Sequence, residues 1–179
     1  MQRESGPGVL TVSNLTEFFR DALQGALADQ RTTIDEHTEH YVVNLLTAFA
    51  HSDCLYEQTP AGRMLKPLAL MLAEALAAAG DAERECALQR LGDVSLFAAG
   101  FFARASARRG VDVDYHVAMG SRAYDALANA LDRGPRRALA ETFAELAAKF
   151  QPLTDALAEI ADAAVVYTQR DILRLYELW

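Results

Sequence analysis

From Leu91 to Phe102 the chain reads LGDVSLFAAGFF, which on a helix is apolar on every side apart from Asp93. A helix lying on a surface needs a polar face, so this one belongs in the interior. A carboxylate carried inside needs a partner. The reading that follows is a buried central helix over about 82–108, closed by the basic turn RRG and followed by a second helix whose inward stripe carries His116.

The remaining segments supply helices to surround it. Asn14, with Glu17 as a capping box, opens a helix whose apolar set Leu15, Phe18, Phe19, Ala22, Leu23, Ala26 and Leu27 keeps helical spacing. Thr33 with Glu36 repeats the cap, and the helix to about Ser52 turns Ile34, Tyr41, Val42, Leu45, Leu46 and Phe49 inward, with Val43 on its outer side. HSDCLYEQTPAGR reads as a loop. Pro67 suits a first helical turn, and LALMLAEALAAAG follows as a buried helix ending at a left-handed Gly80. Asp81 caps the central helix, where Gly92 and Gly100 leave room for a close neighbour. Asp112 caps the next helix, with Met119, Ala123, Leu127 and Leu131 on the stripe of His116. Beyond Gly134 and Pro135, Leu139, Phe143, Leu146 and Phe150 mark a sixth helix, which Pro152 kinks or ends. A last apolar stripe runs from Leu153 through Leu157, Ile160, Ala164, Ile172, Leu175 and Tyr176 to Trp179.

No alternating strand pattern or internal repeat is present, so the expected fold is all-α, a bundle of about seven helices. A flexible tail over 1–12 precedes a single helical domain over 13–179, a length that buries roughly 70% of the unfolded chain's surface. The apolar run from Leu68 to Ala79, interrupted by Glu74, is shorter than the ~20 residues of a bilayer span. A net charge of −8 argues against a nucleic-acid partner, because phosphate binding needs clustered cations. Arg104, Arg108 and Arg109, and likewise Arg133, Arg136 and Arg137, are read as solvated arginines beside turns. Cys54 and Cys86 lack any metal or redox spacing and read as reduced thiols of a cytoplasmic protein.

Four polar residues stand out as candidates for burial: Asp93, His116, Glu74 and Arg122. His116, Arg122 or Lys66 could partner Asp93, and Tyr115 or Tyr124 could partner Glu74, whose alternative is plain exposure. A buried Asp93–His116 pair would be structural, or would serve as an acid/base pair or a pH-sensitive switch. Glu36, His37 and His40, one turn apart on EHTEHYVVN, are a possible metal set together with His116. Against it, the polar side of that helix points away from its apolar stripe, and no Glu-x-x-His of the di-iron bundles occurs. Nucleophile elbows, phosphate-cradling loops and dinucleotide fingerprints are also missing, and Ser95 is expected to bond back to a carbonyl one turn earlier.

The runs HYVVNLLTAFA, LKPLALMLAEAL, RLGDVSLFAAGFFA and VDVDYHVAMGSRAYDALA resemble a family of uncharacterised proteobacterial all-α proteins of similar length, over about Leu15 to Leu131. The resemblance implies a bacterial cytoplasmic protein and carries no activity, cofactor or site residue with it.

The expected function is therefore non-catalytic: a cytoplasmic helical protein without cofactor that acts by binding, as a homo-oligomer or as an adaptor or regulator for another protein. Its surplus apolar positions, Val43 and the C-terminal stripe, motivate this. The alternative is a helical-bundle enzyme or sensor holding iron, zinc, haem or a small apolar ligand with His37, His40, Asp93 and His116.

Overall fold

The computed structural model describes residues 12–51, 56–59, 62–102 and 112–167. Seven helices lie among them: α1 (Val12–Asp29), α2 (Glu36–His51), α3 (Leu68–Ala77), α4 (Asp81–Phe101), α5 (Val113–Asp132), α6 (Arg137–Ala148) and α7 (Phe150–Tyr167). The fold is all-α. The segment read as a loop, together with the two residues after it, forms one short antiparallel pair, β1 (Tyr56–Thr59) against β2 (Gly62–Leu65), with Tyr56 opposite Leu65 and Thr59 opposite Gly62.

α4 is the hub, packed against α3, α5 and α7, while α5 packs on α6 and α1 on α2 and α7. Its first turn is exposed and its second half is interior, with Leu91 and every residue from Val94 to Gly100 buried. The helix stops at Phe101, short of the expected 108, and residues 103–111 with Arg104, Arg108 and Arg109 lie outside the described residues. No helix among the described residues is long and apolar enough to cross a membrane.

Two glycines set how closely the hub is packed. At Gly100 the Leu157 side chain of α7 fills the space, so that an added Cβ would stand well inside 3.0 Å of Leu157 Cβ and 3.3 Å from the Thr154 carbonyl oxygen. At Gly92 the Tyr124 ring of α5 lies where a Cβ would be, with its Cε1 and Cδ1 closest. Toward the other end of α4, Phe97 stacks on Phe101 at 4.7 Å and meets Phe49 of α2 edge-on at 5.1 Å. Ser95 bonds back to the Leu91 carbonyl at 2.6 Å, as its place in an apolar helix requires.

Several helix ends differ from their sequence reading. α1 begins at Val12, ahead of Asn14. It closes with Thr32 N–H donating to the Leu27 carbonyl and Arg31 N–H to that of Ala28, which requires left-handed backbone at Arg31, φ 55°. α2 starts after Asp35, not Thr33, and Asp35 Oδ1 accepts from His37 N–H at 2.8 Å. Gly80 is extended, φ −139°, because it serves as the N-terminal flank of α4 and not as a left-handed end of α3, and Asp81 becomes the first residue of α4 instead of its cap. Asp112 does cap α5, accepting from Asp114 N–H at 2.9 Å. α6 and α7 break at Lys149, which leaves Pro152 in the first turn of α7, where no N–H is needed.

The α1–α2 connection is tied to α6 by one carboxylate. Glu145 accepts from Asp35 N–H at 2.9 Å and from Lys149 Nζ at 2.7 Å, and Lys149 also donates to the Thr33 carbonyl. Burial pulls the Glu145 carboxyl upward, but Lys149, the Thr38 hydroxyl and the Asp35 amide outweigh it and hold the group below its usual 4.5. A lowered folded value means stability present above pH 4.5 and lost as pH falls. Glu145→Gln should cost about 1 kcal/mol at pH 7, after discounting for solvent screening, and should flatten the acid limb of stability in urea titrations.

Candidate functional site

The centre of the molecule holds one carboxylate and two phenols. Asp93 projects from α4 next to Gly92, and the missing side chain there lets the Tyr124 ring cross α4 with its hydroxyl at the carboxylate. Tyr124 Oη donates to Asp93 Oδ1 at 2.7 Å. Tyr41 of α2 donates to the same oxygen at 2.6 Å. One turn before Asp93, Gln89 Nε2 donates to Tyr41 Oη at 3.0 Å, so that hydroxyl both accepts and donates. Phe143 of α6 lies 5.2 Å from the Tyr41 ring and 5.6 Å from the Tyr124 ring, and Phe150 of α7 is 5.9 Å from Tyr124. Five helices therefore contribute to the surroundings of a single acid.

Burial dominates the electrostatics. It pushes the Asp93 carboxyl from 3.8 up to about 6, against the two phenol donors and the Arg90 charge, which favour the anion. The same burial, together with the negative charge of Asp93, raises both tyrosines above 10. The phenols consequently stay protonated and act as donors throughout the physiological range. A phenol made harder to deprotonate is a poor general base. What changes near pH 6 is the carboxyl, while its two donors remain in place.

The other residues picked out from the sequence are elsewhere. His116 does not meet Asp93; it is half-buried in the first turn of α5, with Nδ1 3.2 Å from the Asp112 carbonyl of its own helix. Arg122 is exposed, because the α5 face that enters the core runs through Gly120, Ala123, Tyr124 and Leu127. Glu74 is exposed on α3 and ion-pairs with Lys66, so neither tyrosine serves it, and the donors that reach Asp93 are hydroxyls instead of the lysine. Glu36, His37 and His40 are exposed on α2, apart from His116 on α5. Among the described residues no three His, Cys, Asp or Glu side chains are grouped to hold a metal ion. Arg136 pairs with Glu85, and Arg137 with Asp132 at 3.3 Å, which occupies part of the second basic cluster.

The tyrosine pair was readable in principle. Tyr41 and Tyr124 both fall on apolar stripes, every buried hydroxyl needs a partner, and Asp93 is the carboxylate inside the central helix. No family model, curated protein or solved structure matches the chain.

The surface has its own departure. α3 is half uncovered: Leu68, Met71 and Ala75 are buried, whereas Leu70 is 55% and Leu76 71% exposed. Val43, by contrast, is fully buried, because α2 is packed against both α1 and α6. The C-terminal positions Ile172, Leu175, Tyr176 and Trp179 lie outside the described residues.

Proposed function

We propose that this chain is a non-catalytic, cytoplasmic helical protein that acts by binding another protein surface, and that the outward face of α3 is its contact face. The observation that carries the reading is the exposure of Leu70 and Leu76 on a helix whose sole charge, Glu74, is already paired with Lys66. Exposed apolar residues grouped on one face are costly to leave in water and mark interaction sites. The chemistry at Asp93 supports a structural role for the interior, since its two hydroxyl partners are locked as donors. An exposed thiol at Cys86 suits a reducing compartment.

Hydroxyl-radical footprinting of the chain in a concentrated native extract, compared with the dilute purified protein, tests this. Oxidation of Leu70 and Leu76 should fall several-fold in the extract, while Leu139 and Tyr115, also exposed but on α6 and α5, keep their rates. Equal oxidation of Leu70 and Leu76 in both samples would remove α3 as the contact face.

A further inference from the structure

We propose that the occupant of the α3 face is a second copy of α3, packed antiparallel about a two-fold axis at Ala73. This rests on the reading of α3 as the contact face and names what covers it. A two-fold interface brings the same patch together from both chains, so the patch must be self-complementary. The uncharged exposed residues of α3 are Ala69, Leu70, Ala73, Leu76 and Ala77. Their spacing reads the same in either direction, with Ala73 at the centre.

On a helix of 100° per residue, Ala73 lies in the middle of this face, with Leu70 about 60° to one side and Leu76 about 60° to the other. Ala77 falls on the side of Leu70 and Ala69 on the side of Leu76. An antiparallel two-fold at Ala73 then sets each Leu70 against the other copy's Ala77, and each Leu76 against the other copy's Ala69. Large meets small at all four places. Alanine at the axis lets the backbones come close. A parallel two-fold would also oppose leucine to alanine, but it lays the two helix dipoles side by side in the same direction, whereas the antiparallel pairing sets each helix's positive end beside the other's negative end.

Charge leaves α3 as a face on which two copies can meet. The chain carries −8, so two copies repel over most of their surfaces and meet best where little net charge faces its own image. α3 offers that place, since Glu74 is neutralised by Lys66. A partner selected by charge would find only the Lys66–Glu74 ion pair beside this face. A ten-residue helix is about 15 Å long. The contact is accordingly smaller than the ~1,600 Å² of a standard stable interface, and association should be reversible and concentration-dependent.

Sedimentation of the purified full chain from about 1 µM to about 300 µM should take the mass from one chain to two and no further. Ala73→Glu, which sets two like charges face to face at the axis, should hold the mass at one chain throughout. With Cys54 and Cys86 both replaced by serine, Ala73→Cys should cross-link to itself on mild oxidation. Ala69→Cys should not, but should cross-link to Ala77→Cys when the two variants are mixed. Because all three positions are exposed, circular dichroism should show unchanged helix content. A wild-type chain that stays monomeric overturns the self-pairing; protection of Leu70 and Leu76 in the extract would then mean another protein covers α3, whereas no protection would end the contact-face reading as well. A dimer that survives Ala73→Glu, or that cross-links through Ala69→Cys alone, overturns the antiparallel arrangement.

Discussion

Gly100→Ala should destabilise the protein by about 1–2 kcal/mol net, although the same change in an open helix is favourable. The added Cβ would stand well inside 3.0 Å of Leu157 Cβ, an atom fixed to the backbone that no rotamer change can move aside. Relief requires α4 and α7 to separate, which loosens the packing of the fully buried Leu153 and Leu157. Overpacking of this kind costs about 1–3 kcal/mol and occasionally more, and the helix-propensity gain of up to about 1 kcal/mol recovers only part of it. Gly25→Ala is the internal control. Gly25 lies in α1 with nothing within 4 Å of an added Cβ, and that change should stabilise. The expected gain is about 0.5–1 kcal/mol. Urea midpoints for the two variants should therefore move in opposite directions, and a neutral Gly100→Ala would show that α4 and α7 do not approach this closely.

Asp93 governs the second large effect. Because the folded carboxyl holds its proton more tightly than the unfolded one, about 6 against 3.8, its contribution is greatest below pH 3.8 and is lost as pH rises through about 6. At about 1.36 kcal/mol per pH unit that difference amounts to about 3 kcal/mol. Asp93→Asn keeps an oxygen acceptor for Tyr41 and Tyr124 but cannot ionise, so its stability should stay level from about pH 4 to about pH 7 while the wild type declines. Glu145 works in the opposite sense and at lower pH, so its acid limb should persist in the variant. Asp93→Ala is different in kind. It strands the fully buried Tyr124 hydroxyl and the half-buried Tyr41 without an acceptor. The cost should be about 3 kcal/mol near pH 4, where the wild-type carboxyl is protonated, and should narrow as pH rises and the wild type loses its own contribution. Urea titrations followed by circular dichroism across that range would separate the three proteins. If the wild-type decline near pH 6 persisted in Asp93→Asn, Asp93 would not be its source.

The pattern of residues along single helices carried a good deal of this architecture. Phe19, Leu23, Ala26 and Leu27 are buried on α1, Val42, Leu45 and Leu46 on α2, and Phe143 and Leu146 on α6, each on the stripe that its spacing implies. A helix repeats every 3.6 residues whatever surrounds it, so its buried side shows in its own sequence. The interior acid was visible for the same reason, as the one charge in LGDVSLFAAGFF. The edges of the stripes were less legible: Phe18 and Leu139, assigned to the inner sides of α1 and α6, are exposed, because how wide a face is covered depends on the neighbour and not on the period.

What depends on a second helix was not visible in this way. α3 is apolar almost all round, so its sequence has no polar side to show which face meets α4, and it is half exposed instead of buried. Val43 lies off the main stripe of α2 and is buried because two neighbours pack on that helix. The partner of Asp93 was open among His116, Arg122 and Lys66 because spacing along one helix cannot choose between side chains on others.

Residue order alone was enough to establish that the chain is all-α, where most of its helices run, which side of each amphipathic helix faces inward, and that a carboxylate lies inside the central one. These follow from the 3.6-residue period and the cost of burying charge, which act within a single segment. Packing between helices settled the rest: that Tyr41 and Tyr124 share one oxygen of that carboxylate, that Gly92 and Gly100 admit a ring and a neighbouring helix, and that spare apolar surface is left on α3. Those features depend on the distances and crossing angles between helices, which are set only when all the side chains at the contact pack together.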